Sequence, residues 1–169
     1  MAKISAQLKF FVHKTSGQLV SVSLPAVIDN SLKIMSARIK ESETNIRLQL
    51  PKKEIYLLAD MVQLEQLHAL EGSDNPLIEI AAAEIDEKVN ITIRDNGSRI
   101  KEIHLDRIFD PFFTTKEEKH GLRLGLSISH RIMEDMEGKL TASNHPDGGA
   151  IFNIQLGAAN DWPDREAQA

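Results

Sequence analysis

The feature that most constrains this chain is an alternating apolar run that ends in a carboxylate and a turn. Val89, Ile91 and Ile93 recur at every second position, the period of a strand with one face buried. Asp95-Asn96-Gly97 follows directly, and these residue types make a chain turn. A carboxylate therefore stands at the end of a buried strand, where a pocket can form. Further on, Gly121 and Gly125 lead into an apolar helix that begins around Leu124 and Leu126. Backbone N–H groups at a helix start are unpaired, and the helix dipole is positive there, so such a start can hold an anion. A carboxylate that accepts a donor edge, together with a glycine-lined anion site, is the combination an adenine nucleotide needs.

The chain around this stretch is long enough for one domain. Its 169 residues, 41% hydrophobic and 27% charged, suit a soluble globular unit with one proper core. The net charge is −5, so no basic excess points to nucleic acid. Without cysteine there is neither a disulfide framework nor a thiolate metal site, which is compatible with the cytosol. No apolar run approaches the ~18 residues of a membrane span. The expected location is cytoplasmic, as the cytoplasmic part of a membrane sensor or free of one.

Taken in order, residues 3–14 read as a short amphipathic helix with Ile4, Leu8, Phe11 and Val12 on one side. Residues 20–24 alternate as a short strand. Pro25 suits a helix's first turn, and residues 25–42 carry Val27, Ile28, Leu32, Ile34, Met35 and Ile39 at helical spacing. Residues 45–50 and 55–58 read as strands. A helix over 60–71 follows, with Asp60 as its cap. Residues 77–83 and 88–94 form a hairpin through Asp86 and Glu87. Residues 96–120 read as a long loop, usually functional or mobile. The helix from Leu122 ends at Gly138, expected as a left-handed cap. Residues 140–143 and 150–156 close the chain as a hairpin, and 158–169 read as a frayed tail.

At these motifs the sequence resembles the ATP-binding catalytic domain of sensor histidine kinases, in the gyrase, Hsp90, kinase and MutL ATPase superfamily. Asp95-Asn96-Gly97 matches the first glycine box. Residues 108–116, IFDPFFTTK, match the phenylalanine box, and 121–129, GLRLGLSIS, the second glycine box. Residues 144–156, with Gly148, Gly149 and Phe152, resemble the closing hairpin. Order and spacing agree over residues 20–157, closest to sensors of the nitrogen-regulation and dicarboxylate-transport type. The resemblance implies an α/β (α+β) two-layer sandwich of the Bergerat type, a mixed sheet with about three helices on one face. It divides the chain into 1–17, the tail of a preceding helical hairpin; 18–157, the ATPase domain; and 158–169, a tail.

The resemblance also implies roles. Asp95 becomes the acceptor of the adenine amino group, although a turn aspartate before Asn-Gly needs no such role. Gly97, Gly121 and Gly125, with Leu124 and Leu126, line the phosphates of ATP or ADP. Phe112, with Phe109 and Phe113, packs the nucleotide lid. Lys116 meets a phosphate or is simply solvated. Arg99 and Arg123 stand where the family has glycine. A Cβ there either obstructs the loop, or the guanidinium itself reaches a phosphate.

The largest departure lies after Leu64-Glu65-Gln66. In the family this helix continues for about three more turns and carries an asparagine that holds Mg²⁺. Here Leu70 is followed by Glu71-Gly72-Ser73-Asp74-Asn75-Pro76, all turn residues. None of the six histidines stands in the context of a phosphoacceptor. The expected function is the ATP-binding domain of a two-component sensor kinase, which passes phosphate from ATP to a histidine on a separate dimerisation hairpin and through it to a response regulator. Impairment is expected from the missing Mg²⁺ helix. The alternatives are a degenerate signalling scaffold and an ATP-driven clamp of the repair or chaperone kind.

Overall fold

The structure, a computed structural model, describes residues 20–59, 76–113 and 125–159. Its elements in order are β1 (Val20–Ser23), α1 (Leu24–Glu41), β2 (Asn45–Gln49), β3 (Tyr56–Ala59), β4 (Leu77–Ile85), β5 (Lys88–Asp95), α2 (Glu102–Leu105), α3 (Gly125–Asp135), β6 (Lys139–Asn144) and β7 (Ala150–Gly157). The main sheet is five-stranded in the order β2-β4-β5-β7-β6, and β1 and β3 form a separate antiparallel pair. Only β2 runs parallel to its neighbour β4 in the main sheet. This is the mixed sheet of the expected α/β sandwich.

Strand period explains which face is covered. Along β5 the buried residues are Val89, Ile91, Ile93 and Asp95. Register places Ile93 between Ile80 and Phe152, and Ile91 beside Ile154, so one sheet face carries rows of apolar side chains. The other face carries polar pairs that bond across strands: Thr92 with Asn153, Asn90 with Gln155, and Glu79 with both Arg47 and Arg94. Burying one face of an antiparallel ladder and wetting the other gives this alternation.

Helices close the apolar face. Pro25 falls in the first turn of α1, where its missing N–H costs no hydrogen bond. Leu24, Ile28 and Ser31 are the buried stripe of that helix, and Leu24 and Ile28 join Leu57, Ile80, Ile91 and Leu156 in the core. Each fully buried Leu or Ile contributes about 1.5–3 kcal/mol relative to exposure. Ile34, expected on the same stripe, is 70% exposed. It lies three residues past Ser31, but the packed face runs through Leu32 and Met35 instead.

Three local readings change. The stretch 96–120 holds a one-turn helix, α2, begun by Lys101 in an extended conformation. Four residues are too few to show a helical period. Gly138 is not the left-handed cap of α3. Glu137 takes that conformation, at φ 53°, while the Gly138 N–H bonds the Met133 carbonyl at 2.7 Å. Gly138 is required for space: a Cβ there would come within 2.7 Å of Leu156 Cδ2 and 2.8 Å of the Gln155 carbonyl oxygen. The stretch read as a frayed tail begins in order, since Ala158 N–H bonds Glu87 and Ala159 N–H bonds Tyr56, each at 2.9 Å. The helices expected over 3–14 and 60–71 lie outside the described residues.

These two neighbours at the end of α3 respond oppositely to substitution. Gly138→Ala is expected to destabilise by about 1–3 kcal/mol, the usual cost of overpacking a filled site. Glu137→Gly is expected not to destabilise, because glycine adopts the left-handed conformation without the Cβ clash. Urea denaturation of both variants decides it; a stable Gly138→Ala would show that the site has room for a Cβ, and a destabilised Glu137→Gly would remove the left-handed cap from residue 137.

Candidate functional site

Asp95 is the last residue of β5 and the last of its inward-facing set. Strand parity therefore turns its carboxylate towards the covered face. It is 6% exposed, opposite Ile78 in register. Two backbone amides converge on Oδ1: Gly97 N–H at 2.8 Å and Ala150 N–H at 3.3 Å. Among the described residues no hydrogen bond reaches Oδ2. Burial pushes the Asp95 carboxyl above the ordinary range, and the Gly97 and Ala150 amides and the Arg94 charge pull the other way.

The turn after Asp95 is fixed on both sides. The Gly97 amide bond to a carboxylate two residues back is an Asx-type turn. Asn96 pairs with Leu77 twice, accepting its N–H on Oδ1 at 2.8 Å and donating its own N–H to the Leu77 carbonyl at 3.2 Å. On the opposite side the β6–β7 hairpin comes so close that a Cβ on Gly149 would fall 1.9 Å from the Asp95 carbonyl oxygen. Gly149 is buried, at φ 80°. No other residue type fits that position.

The phenylalanine segment packs in several ways. Ile108 joins the core. Phe109 lies 5.0 Å from the His130 ring on α3. Phe113 tilts against His104 at 5.3 Å, with the Arg107 guanidinium 5.0 Å from its ring centroid, a cation–π distance. Phe112 is 69% exposed at φ 67°, a costly conformation for a bulky residue.

The structure thus brings Asp95 and Gly97 together at one sheet end. Arg99 is also there, but its guanidinium donates to the Pro146 carbonyl, and its φ is not positive. The backbone at residue 99 therefore makes no demand for glycine. Gly125 opens α3, and Leu126 packs against the core. Lys116, Gly121, Arg123 and Leu124 lie outside the described residues. The sequence alone gives Gly149 as part of a hairpin and leaves the Ala150 amide and Asn144 unmarked. The Gly148-Gly149 pair was the available signal, since two glycines exceed what a simple turn needs.

The chain resembles known proteins in both sequence and fold. Residues 22–160 match the family described as histidine kinase-, DNA gyrase B-, and HSP90-like ATPase. The chain is 28% identical over 166 residues to the C4-dicarboxylate transport sensor protein DctB of Pseudomonas aeruginosa, covering 92% of this chain and 27% of that protein. It is 29% identical over 161 residues to the sensor histidine kinase ZraS of Escherichia coli, covering 91% and 34%. The chain therefore spans about a quarter to a third of these relatives. Among solved structures, the nucleotide-free catalytic domain of the histidine kinase ThkA superposes with a TM-score of 0.70 at 26% identity, covering 83% of this chain and 95% of that one.

The buried carboxylate has a consequence for stability. A carboxyl whose folded pKa is raised binds its proton more tightly folded than unfolded. It therefore costs stability above the folded pKa, and that cost vanishes as pH falls below the unfolded value near 4. Asn at this position keeps an Oδ1 for both amides without the charge. Asp95→Asn is accordingly expected to melt higher than the wild type at pH 7, with the difference shrinking as pH falls towards about 4. Melting curves across pH check this; a difference that does not change with pH would show that the carboxylate is not penalised by burial.

Proposed function

This chain belongs to the histidine kinase-, DNA gyrase B-, and HSP90-like ATPase family, and we propose that, as the ATP-binding domain of a two-component sensor kinase, it holds adenine through Asp95. The observation that carries this reading is the Asp95 carboxylate itself, buried at the sheet end with one oxygen held by two amides. An ionised carboxylate only accepts hydrogen bonds. It suits the amino group of adenine, whereas guanine presents a carbonyl at the same ring position and would set two acceptors face to face. Gly97, Gly125 and Leu126, with Gly121, Arg123, Leu124 and Lys116, are the candidates for phosphate contact.

In the reaction of such kinases the γ-phosphoryl group leaves ATP as its bond to the β-phosphate oxygen breaks. A P–N bond to a histidine forms, and ADP is released. We assign the accepting histidine to a separate dimerisation hairpin, and the next acceptor to a response regulator. The protein's part is mostly positioning and charge neutralisation. Mg²⁺ supplies charge neutralisation when it is bound. Among the described residues no group of three or more histidine or acidic side chains could hold a metal ion. The segment where the family resemblance puts the metal-holding asparagine, 60–75, falls outside them. The turn residues Glu71 to Pro76 favour a second reading of the same domain, in which nucleotide binds and transfer is weak. No described helix is long and apolar enough to cross a membrane.

Calorimetry with ADP and GDP tests the adenine role. ADP is expected to bind more tightly, and Asp95→Asn to weaken ADP by about 1.5–3 kcal/mol, the range for a hydrogen bond to a charged group. Equal affinity for both nucleotides, or no change on substitution, removes Asp95 from the role.

Transfer is tested separately, by radiolabel transfer from ATP to an added helical hairpin with and without Mg²⁺. Negligible transfer is expected, beside a nucleotide affinity that depends little on Mg²⁺. Robust Mg²⁺-dependent transfer refutes the impaired reading and returns the chain to the working kinases.

A further inference from the structure

Four contacts cross between residues 95–100 and residues 144–150, beyond the end of the β5–β7 ladder, which stops at Arg94 opposite Ile151. The Asp95 carboxylate takes the Ala150 amide, and the Asp95 carbonyl lies against Gly149. The Arg99 guanidinium donates to the Pro146 carbonyl. Asn144 makes the most complete contact. Its Oδ1 accepts the Ile100 N–H at 2.8 Å, and its Nδ2 donates to the Ile100 carbonyl at 2.7 Å. A side-chain amide that meets both backbone groups of one residue does the work of a paired strand residue. Asn144 and Ile100 are both half-buried, so losing the amide leaves two backbone groups without partners where water replaces them poorly.

We propose that Asn144 is a positioning residue for nucleotide binding. It holds the chain leaving the Asp95 turn onto the β6–β7 hairpin, so that the Asp95 carboxylate keeps its orientation between the Gly97 and Ala150 amides. Arg99 is the second arm of the same clamp. At its position the guanidinium serves the hairpin, and phosphate recognition falls to other groups. The proposal rests on Asp95 being the adenine acceptor.

Residue chemistry narrows what could replace Asn144. Aspartate accepts from the Ile100 N–H but faces the Ile100 carbonyl with a second acceptor. Alanine offers nothing to either group. Neither changes the apolar rows beneath the turn. The effect therefore falls on the turn and the hairpin, with little expected at the β4–β5 end of the sheet.

The test uses the full chain, with Asn144→Ala, Asn144→Asp and Arg99→Ala. Amide hydrogen exchange is read at Gly97 and Ala150, the two donors to Asp95, with the β5 amides of Val89 and Ile91 as the internal control. Titrations with ADP and with adenosine are run in parallel, in the wild type and in the Asp95→Asn background. Both Asn144 variants are expected to speed exchange at Gly97 and Ala150 by about tenfold and to weaken ADP and adenosine by a similar factor, the equivalent of one or two lost hydrogen bonds. The control amides should hardly change. In the Asp95→Asn background the loss should shrink, because sites acting through one another are not additive. Arg99→Ala should weaken adenosine as well as ADP, whereas an arginine that holds phosphate would spare adenosine. If Asn144→Ala does not fold, Asn144→Asp carries the same comparison. Unaltered affinity in the Asn144 variants, or an equal loss in both Asp95 backgrounds, overturns the proposal while leaving the adenine role standing. A wild type that binds neither ADP nor adenosine overturns both.

Discussion

A charge that strand parity forces inward governs the site end of this fold. Val89, Ile91, Ile93 and Asp95 share one face of β5. Moving Asp95 to the outer face would slip the register by one residue and expose all three apolar partners. The carboxylate must therefore be accommodated where it lies, and burial penalises its ionised form. Two backbone amides offset part of that penalty. One comes from its own turn, at Gly97, and the other from β7, at Ala150. The second amide arrives only if the β6–β7 hairpin approaches the strand end closely, and that approach leaves no room for a Cβ at Gly149. The Asx turn and the Gly149 contact both follow from holding one buried carboxylate.

The strands were legible because their signal is local. Alternation over a few residues located β4, β5 and β7 to within a residue or two, and the Asp86-Glu87 turn between β4 and β5 is formed by two residues at positive φ without any glycine. The readings that failed lacked a local signal. A four-residue helix such as α2 has no period to detect. Gly138 looked like a left-handed cap because glycine usually is one. Its actual constraint is contact with Leu156 and Gln155, which no inspection of neighbouring residues reveals. Ile34 fits a helical stripe in sequence but falls off the face that α1 turns to the sheet.

The site divides in the same way. Asp95 and Gly97 were legible because they stand together in the chain and the family motif names them. The Ala150 amide is 55 residues from the carboxylate it serves, and Asn144 is 44 residues from Ile100. Such pairs follow only from sheet topology, which brings β7 beside β5 and β6 beside β7. The phenylalanine segment is intermediate. Its sequence is intact, yet two of its rings meet different partners, His130 for Phe109 and His104 with Arg107 for Phe113, and Phe112 is exposed.

Arg99 shows why a departure from a motif need not damage a site. A glycine in a phosphate-binding turn is needed when the backbone takes a positive φ or when a ligand touches the chain. At residue 99 the backbone does not take a positive φ, so the first reason is absent. An exposed arginine there finds a carbonyl acceptor on the hairpin across the turn. The turn's shape is then set less by its own glycines than by what holds it from across the sheet end. A chain with Asn144, Gly149 and a hairpin of this length keeps the Asp95 carboxylate in place with one motif glycine lost. The same hairpin in a chain without the Asn144 amide would have to recover that constraint within the turn, where a second glycine adds freedom rather than order.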